Sequence, residues 1–185
     1  ETPLARLGVN AYAYPHIAPA QLDALLPYLT YLTPFTYGIT PAGGLVPLAD
    51  GALLAAASRY GVSALMHLST LTPEGSFSSD NAALLRDERA QAALTAAVSR
   101  VMEEKGYYGL DVDFEYVLPE LREAYAAFVC RLRDALNADG RPVIAALAPK
   151  TSAQQRGLLY EAHDYALLSE AANAVFLMTY EWGYT

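Results

Sequence analysis

The densest chemistry in the sequence lies in one run, Gly109-Leu110-Asp111-Val112-Asp113-Phe114-Glu115-Tyr116. Read as a β-strand, the run puts Asp111, Asp113 and Glu115 on one face and Leu110, Val112, Phe114 and Tyr116 on the other. Three neighbouring carboxyl groups repel one another when all are ionised, so at least one is expected to keep its proton near neutral pH. A protonated carboxylic acid beside an ionised carboxylate is the pairing that glycosidic bond cleavage needs. Two other readings fit the same spacing. A half-exposed antiparallel strand also alternates acidic and apolar residues. Asp-x-Asp-x-Glu also offers hard oxygen ligands to a divalent cation, although no further acidic or histidine group in the sequence clearly completes a shell. Among the histidines, His16 follows a proline in a loop and His163 adjoins Asp164 in a helix or turn, so both read as surface or structural residues. His67, within Ala64-Leu65-Met66-His67-Leu68-Ser69, reads as a hydrogen-bonded histidine facing the interior.

The elements that must position these groups alternate between β-rich runs and amphipathic helices. Strands are expected at 7–14, 31–39, 62–69, 107–116, 142–148 and 174–180. Asp50 reads as the N-cap of a helix through Leu53-Leu54-Ala55-Ala56-Ala57, and Gly61 occupies the position where a left-handed residue ends it. Over 90–105, Ala93, Leu94, Ala97, Val98, Val101 and Met102 form one stripe that stops at Gly106. Pro119 opens a third helix, with Leu121, Tyr125, Phe128, Val129, Leu132 and Leu136 on one face, ending near Asn137 and Gly140. Val143 to Ala148 and Ala174 to Met178 are apolar on both faces, as buried parallel strands are. Strand-helix alternation then predicts right-handed βαβ units in an α/β fold. A doubly wound sheet would carry a Gly-rich loop after its first strand, whereas Asn10-Ala11-Tyr12-Ala13-Tyr14-Pro15 has no glycine. A (β/α)₈ barrel of the TIM type is favoured, with six of its eight βα units legible and its site at the strand C-terminal ends.

Composition narrows the partners. The chain has 185 residues, 54% hydrophobic and 17% charged, enough for one sizeable core. Lys+Arg 12 against Asp+Glu 20, a formal net charge of −8, offers no basic cluster for nucleic acid or an anionic membrane. No apolar stretch reaches the roughly 20 residues needed to span a bilayer. Glu1-Thr2-Pro3-Leu4 carries no basic segment followed by an apolar run. The single Cys130 closes no internal bridge.

The motifs resemble one family. Gly109-Leu110-Asp111-Val112-Asp113-Phe114-Glu115 is similar to the D-G-x-D-x-D-x-E signature on the fourth barrel strand of glycoside hydrolase family 18, the chitinase and N-acetylglucosaminidase family. Met178-Thr179-Tyr180-Glu181-Trp182-Gly183 is similar to that family's M-x-Y-D segment on the sixth strand, with Glu181 in the Asp position. Ala148-Pro149-Lys150-Thr151-Ser152 and Pro27-Tyr28-Leu29-Thr30-Tyr31-Leu32 resemble the bacterial branch that acts on spore cortex and cell-wall peptidoglycan, often joined to LysM modules. Two departures stand out: Tyr108 replaces the leading Asp of the signature, and His67-Leu68-Ser69-Thr70 replaces the S-x-G-G of chitinases, which makes long chitin a weaker substrate reading.

The resemblance implies a retaining mechanism in which the substrate's own 2-acetamido oxygen is the nucleophile. Glu115 is then the general acid and later the base, with its pKa raised by the Asp113 charge. Asp113 holds the acetamido N–H, Asp111 shares a proton with Asp113, and Tyr180 orients the acetamido oxygen. Glu181 and Trp182 bind the sugar, and Tyr12, Tyr14, Phe35 and Tyr37, near other strand ends, are candidates to pave the cleft against pyranose C–H faces. Lys150 reads as a solvated loop lysine.

No cofactor is implied. The expected substrate is peptidoglycan or a chitin-like glycan and the expected setting is secreted, at the cell wall or spore. A chito-oligosaccharide hydrolase and a sugar-binding module without turnover are the alternatives. Because a barrel of this kind takes about 250 residues, residues 1–185 read as a single catalytic domain, incomplete on its C-terminal side. Its first and sixth strands are open edges that favour association between copies.

Overall fold

The structure, a computed structural model, describes residues 7–70, 76 and 82–180. Its elements are β1 (Asn10–Ala13), α1 (Pro19–Leu25), β2 (Tyr31–Pro34), β3 (Gly38–Ile39), β4 (Leu45–Val46), α2 (Gly51–Tyr60), β5 (Ser63–Ser69), α3 (Ala82–Arg86), α4 (Glu88–Lys105), β6 (Gly109–Asp113), α5 (Arg122–Asn137), β7 (Val143–Leu147), α6 (Tyr165–Ala171) and β8 (Ala174–Leu177). Six strands form one sheet in the order β1-β2-β5-β6-β7-β8, every neighbouring pair parallel, while β3 and β4 pair antiparallel in a separate small ribbon. The sheet is curled. The Tyr12 hydroxyl on β1 reaches Asp111 on β6 at 2.6 Å, although β2 and β5 lie between them. The Tyr12 ring also lies 5.9 Å from Phe176 on β8, at the opposite edge. Only a concave sheet brings those residues together, and the result is a half-barrel.

Alternation sorts the two faces. Met66, Leu68, Leu110, Val112, Phe114, Val143, Ala145 and Leu147 point outward into a core shared with Leu94, Val98 and Met102 of α4 and with Tyr125, Phe128, Val129, Leu132 and Leu136 of α5. A smaller core packs Ala13 and Leu32 against Leu22, Leu53, Ala56 and Ala57 of α1 and α2. The stripe on α4 is narrower than its spacing suggests, because Ala93 is exposed and Gln91 takes a buried place. Gly61 and Gly106, at φ 68° and 73°, end α2 and α4 in the left-handed conformation that costs a side chain least. Gly109 is required for another reason: a Cβ there would meet the Pro142 carbonyl oxygen at 2.8 Å.

Several expected boundaries shift. The expected strand 31–39 stops at Pro34, which lacks an N–H for the ladder. Beyond it the Phe35–Thr36 peptide bond is cis, and Gly38–Ile39 turns away to pair with β4. Asp50 stands at the N-terminus of α2 but makes no side-chain capping bond. It accepts instead from the hydroxyls of Tyr37 (2.5 Å) and Tyr107 (2.5 Å) and from the Lys105 ammonium (2.6 Å). The acidic strand is not a half-exposed antiparallel one, since β6 is buried along its length between two parallel neighbours.

Candidate active site

The three carboxyl groups form a gradient of depth. Asp111 is 1% exposed and Asp113 5%, on the inner face of β6, and Glu115 lies beyond the strand end and is half-buried. They lead to a cleft of about 520 Å³ at the strand C-terminal ends, lined among others by Asp113, Glu115, Tyr12, Phe35, His67 and Tyr180. Asp111 Oδ2 accepts from Tyr12, whereas Asp111 Oδ1 and Asp113 Oδ1 are buried with no hydrogen-bond partner among the described residues. Burial pushes the Asp111 carboxyl above the ordinary carboxylate range. The His67 ring and the Tyr12 hydroxyl oppose that rise, and the Asp113 charge adds to it. Burial and the Asp111 charge also hold the Tyr12 phenol well above its usual value, so it stays a donor.

His67 occupies the inner face of β5 directly in register with Asp111, as its place in an apolar strand suggested. Its Nε2 is 3.4 Å from Asp113 Oδ2 and its Nδ1 is 2.6 Å from Thr36 Oγ1. Phe35 stacks on the imidazole at 4.8 Å and Tyr12 meets it edge-on at 5.3 Å, so the ring is fixed on every side. Glu115 is fixed through its backbone. Its carbonyl accepts from the Thr70 hydroxyl at 3.2 Å, and the next residue, Tyr116, has φ 56°. A tyrosine in the left-handed region costs about 1–3 kcal/mol, and such outliers gather at functional sites.

Of the aromatic candidates, Tyr12, Tyr14, Phe35 and Tyr180 all line the cleft. Tyr180 is 58% exposed, with its ring 5.9 Å from Phe176. Tyr37 does not reach the cleft. It is 2% exposed, part of the outer core, and its hydroxyl is committed to Asp50 and Lys105. The chain turns over after Pro34, sending the ring to the helix side of the sheet. Glu181 and Trp182 lie outside the described residues. Lys150 is not simply solvated, since its ammonium donates to the carbonyls of Tyr160 (3.2 Å) and His163 (3.0 Å). Among the described residues no group of three or more His, Cys, Asp or Glu side chains is arranged to hold a metal ion.

Thr36, Tyr116, Pro149, Leu159 and Met178 belong to the site or its walls without having been singled out for it. Met178 and Pro149 carried a signal as members of two motif segments, and Tyr116 as the end of the acidic run. The contacts of Thr36 depend on the turn after Pro34, for which the residue pattern gives no cue.

Known proteins are similar to this chain in sequence and in fold. Residues 73–184 match the model of glycosyl hydrolases family 18. The cortical fragment-lytic enzyme of Bacillus subtilis (strain 168) is 39% identical over 162 residues, 86% of this chain and 37% of that protein. The crystal structure of the Bacillus megaterium QM B1551 spore cortex-lytic enzyme SleL superposes with a TM-score of 0.90 at 32% identity, covering 96% of this chain and 43% of that one. A class V chitinase from Pseudomonas fluorescens Pf-5 superposes with a TM-score of 0.86 at 27% identity, covering 94% of this chain and 54% of that one. The chain thus spans well under half the length of its cortex-lytic relatives, and it belongs to glycosyl hydrolases family 18.

Proposed function

We propose that the protein hydrolyses β-1,4-glycosidic bonds next to N-acetylhexosamine in cell-wall or spore-cortex peptidoglycan, with retention and with the substrate's acetamido group as nucleophile. The observation that carries this reading is Asp113 Oδ1, buried beside the cleft with no hydrogen-bond partner among the described residues, an acceptor that an N–H donor would satisfy. An acetamido N–H supplies such a donor, and binding it removes the cost of a buried acceptor without a partner. The acetamido oxygen is then turned toward the anomeric carbon, with the Tyr180 phenol as its second contact.

Glu115, nearer solvent, protonates the leaving oxygen as the C–O bond breaks and an oxazolinium ring forms. Water attacks the anomeric carbon in the second step and returns its proton to Glu115. Asp113 stabilises the cationic ring, and the raised Asp111 carboxyl shares its proton with Asp113 while the charge develops. Tyr14, Phe35 and Tyr12 offer ring faces to the sugars. The names of the cortex-lytic relatives favour cortex over chitin, and their setting supports a cell-wall or spore location.

Val175 and Leu177, 39% and 43% exposed on the outer face of β8, support association between copies of this chain, which sedimentation against concentration tests. For the activity, the test is mass spectrometry of products from cortex fragments, vegetative peptidoglycan and chitin oligomers, with and without EDTA. New reducing N-acetylhexosamine ends from cortex, unchanged by the chelator, are expected. Binding without products, or products lost in EDTA, would overturn the reading.

A further inference from the structure

His163 precedes α6 and is remote in sequence from the acidic strand, yet it joins the ends of two barrel strands. It is 1% exposed. Its Nδ1 lies 2.8 Å from the backbone nitrogen of Ala148, at the end of β7, and its Nε2 lies 2.9 Å from the carbonyl oxygen of Phe114, just past β6. An amide N–H only donates and a carbonyl only accepts, so the two contacts together demand a neutral imidazole with its proton on Nε2. Burial holds the imidazole below its ordinary pKa. The Phe114 carbonyl and the Asp113 charge oppose that effect and the Lys150 ammonium adds to it.

Phe114 immediately precedes Glu115. Its side chain is locked on the outer face by stacking on Tyr125 (5.6 Å, 3° between planes) and by Phe128 at 5.9 Å. The His163 bond therefore fixes the one remaining freedom of that residue, the direction of its carbonyl and so of the following peptide. With Thr70 on the Glu115 carbonyl, the acid is held from both sides. The β7 side is braced as well. Tyr165 donates to the Ala148 carbonyl at 2.8 Å and accepts from the Lys150 N–H at 2.9 Å, and the Lys150 ammonium reaches the His163 carbonyl. Side chains thus replace ladder bonds where β6 and β7 separate at the cleft mouth.

We propose that His163 is a positioning residue that latches β6 to β7 in its neutral form, sets the aim of the Glu115 carboxyl, and releases it when acid protonates the ring. The charged groups acting on the imidazole are Asp113 on β6 and Lys150 after β7; the neighbouring Asp164 caps α6 and is approached by Arg122 of α5 at 3.8 Å, and Tyr125 of α5 faces the imidazole with its phenol ring at 6.2 Å. Protonation adds a hydrogen at Nδ1 against the Ala148 N–H, a donor against a donor. This inference rests on the role proposed for Glu115.

Two variants of the intact enzyme test it. His163→Leu removes both bonds, and kcat is expected to fall about 10²-fold with KM little changed, because an acid displaced by about 1 Å loses that much. His163→Gln keeps a donor and an acceptor but cannot titrate. It should recover most of kcat and extend activity to lower pH than the wild type. Imidazole nitrogen NMR provides a readout independent of activity: the Nε2–H neutral form should persist below the ordinary histidine range. A folded His163→Leu with wild-type kcat, a His163→Gln profile with an unshifted acid limb, or an Nδ1–H or doubly protonated ring at neutral pH would each overturn the proposal. An active Glu115→Gln would instead overturn the role of the acid and leave the tautomer result standing.

Discussion

Asp50, at the N-terminus of α2, is 2% exposed and takes three donors, Tyr37, Tyr107 and Lys105. Asp111 and Asp113, 1% and 5% exposed on the inner face of β6, each keep one oxygen with no hydrogen-bond partner among the described residues. Burial alone would push any of these carboxyls up. At Asp50 the bonds from Lys105, Tyr107 and Tyr37 outweigh burial and hold the carboxyl below the ordinary range. At Asp111 burial prevails, and the carboxyl lies above it. The same residue type is held below the ordinary carboxylate range where three donors meet it, and rises above that range where it is sunk deeper and one oxygen has no partner among the described residues.

The largest expected break in this comparison is in turnover. Glu115→Gln should lower kcat by about 10²–10⁴-fold, measured by reducing-end release, with folding stability unchanged. Asp50→Ala should do the reverse: each buried hydroxyl left without its acceptor, Tyr37 and Tyr107, costs about 1–3 kcal/mol, read by urea denaturation, while the folded fraction turns over normally.

The pH dependence separates the sites further. Because the folded pKa of Asp50 is depressed, its stabilisation is present above the unfolded value of about 3.9 and is lost as pH falls through the folded value. The raised Asp111 works in the opposite direction, so its penalty appears as pH rises above about 3.9 and grows until the folded value is passed. Accordingly Asp50→Asn should lower stability at pH 7 relative to wild type, and Asp111→Asn should raise it, in denaturation curves run at both ends of that window. The smallest effect belongs to Tyr37→Phe. Loss of one hydrogen bond to a charged group should cost about 1.5–3 kcal/mol of stability and leave KM for the glycan unchanged, whereas a cleft role for Tyr37 would raise KM.

Much of this was legible in the residues because period-two and period-3.6 patterns are strong over long elements. The face shared by Asp111 and Asp113, the α5 stripe from Tyr125 to Leu136, and the glycines ending α2 and α4 all follow from local rules. What failed depends on distant partners. Tyr37 looks like any other ring near a strand end, and its destination is set by Asp50 and by Lys105, 68 residues away. His163 reads from the sequence as a surface or structural residue; it is 1% exposed, and its partners Ala148 and Phe114 meet it only once β6 and β7 lie side by side. The β3-β4 ribbon pairs two residues on each side, too short for any period to show. Glu181 and Trp182 lie beyond the described residues, so their expected sugar contacts remain proposals.

The central claim, that donors and depth of burial set these two carboxyls on opposite sides of the ordinary range, is tested most directly by following the side-chain carboxyl carbons of Asp50 and Asp111 by NMR through one pH titration of the folded protein. The account predicts a midpoint below the ordinary aspartate value for Asp50 and above it for Asp111. An Asp111 midpoint at or below that value, or both residues shifted in the same direction, would contradict it.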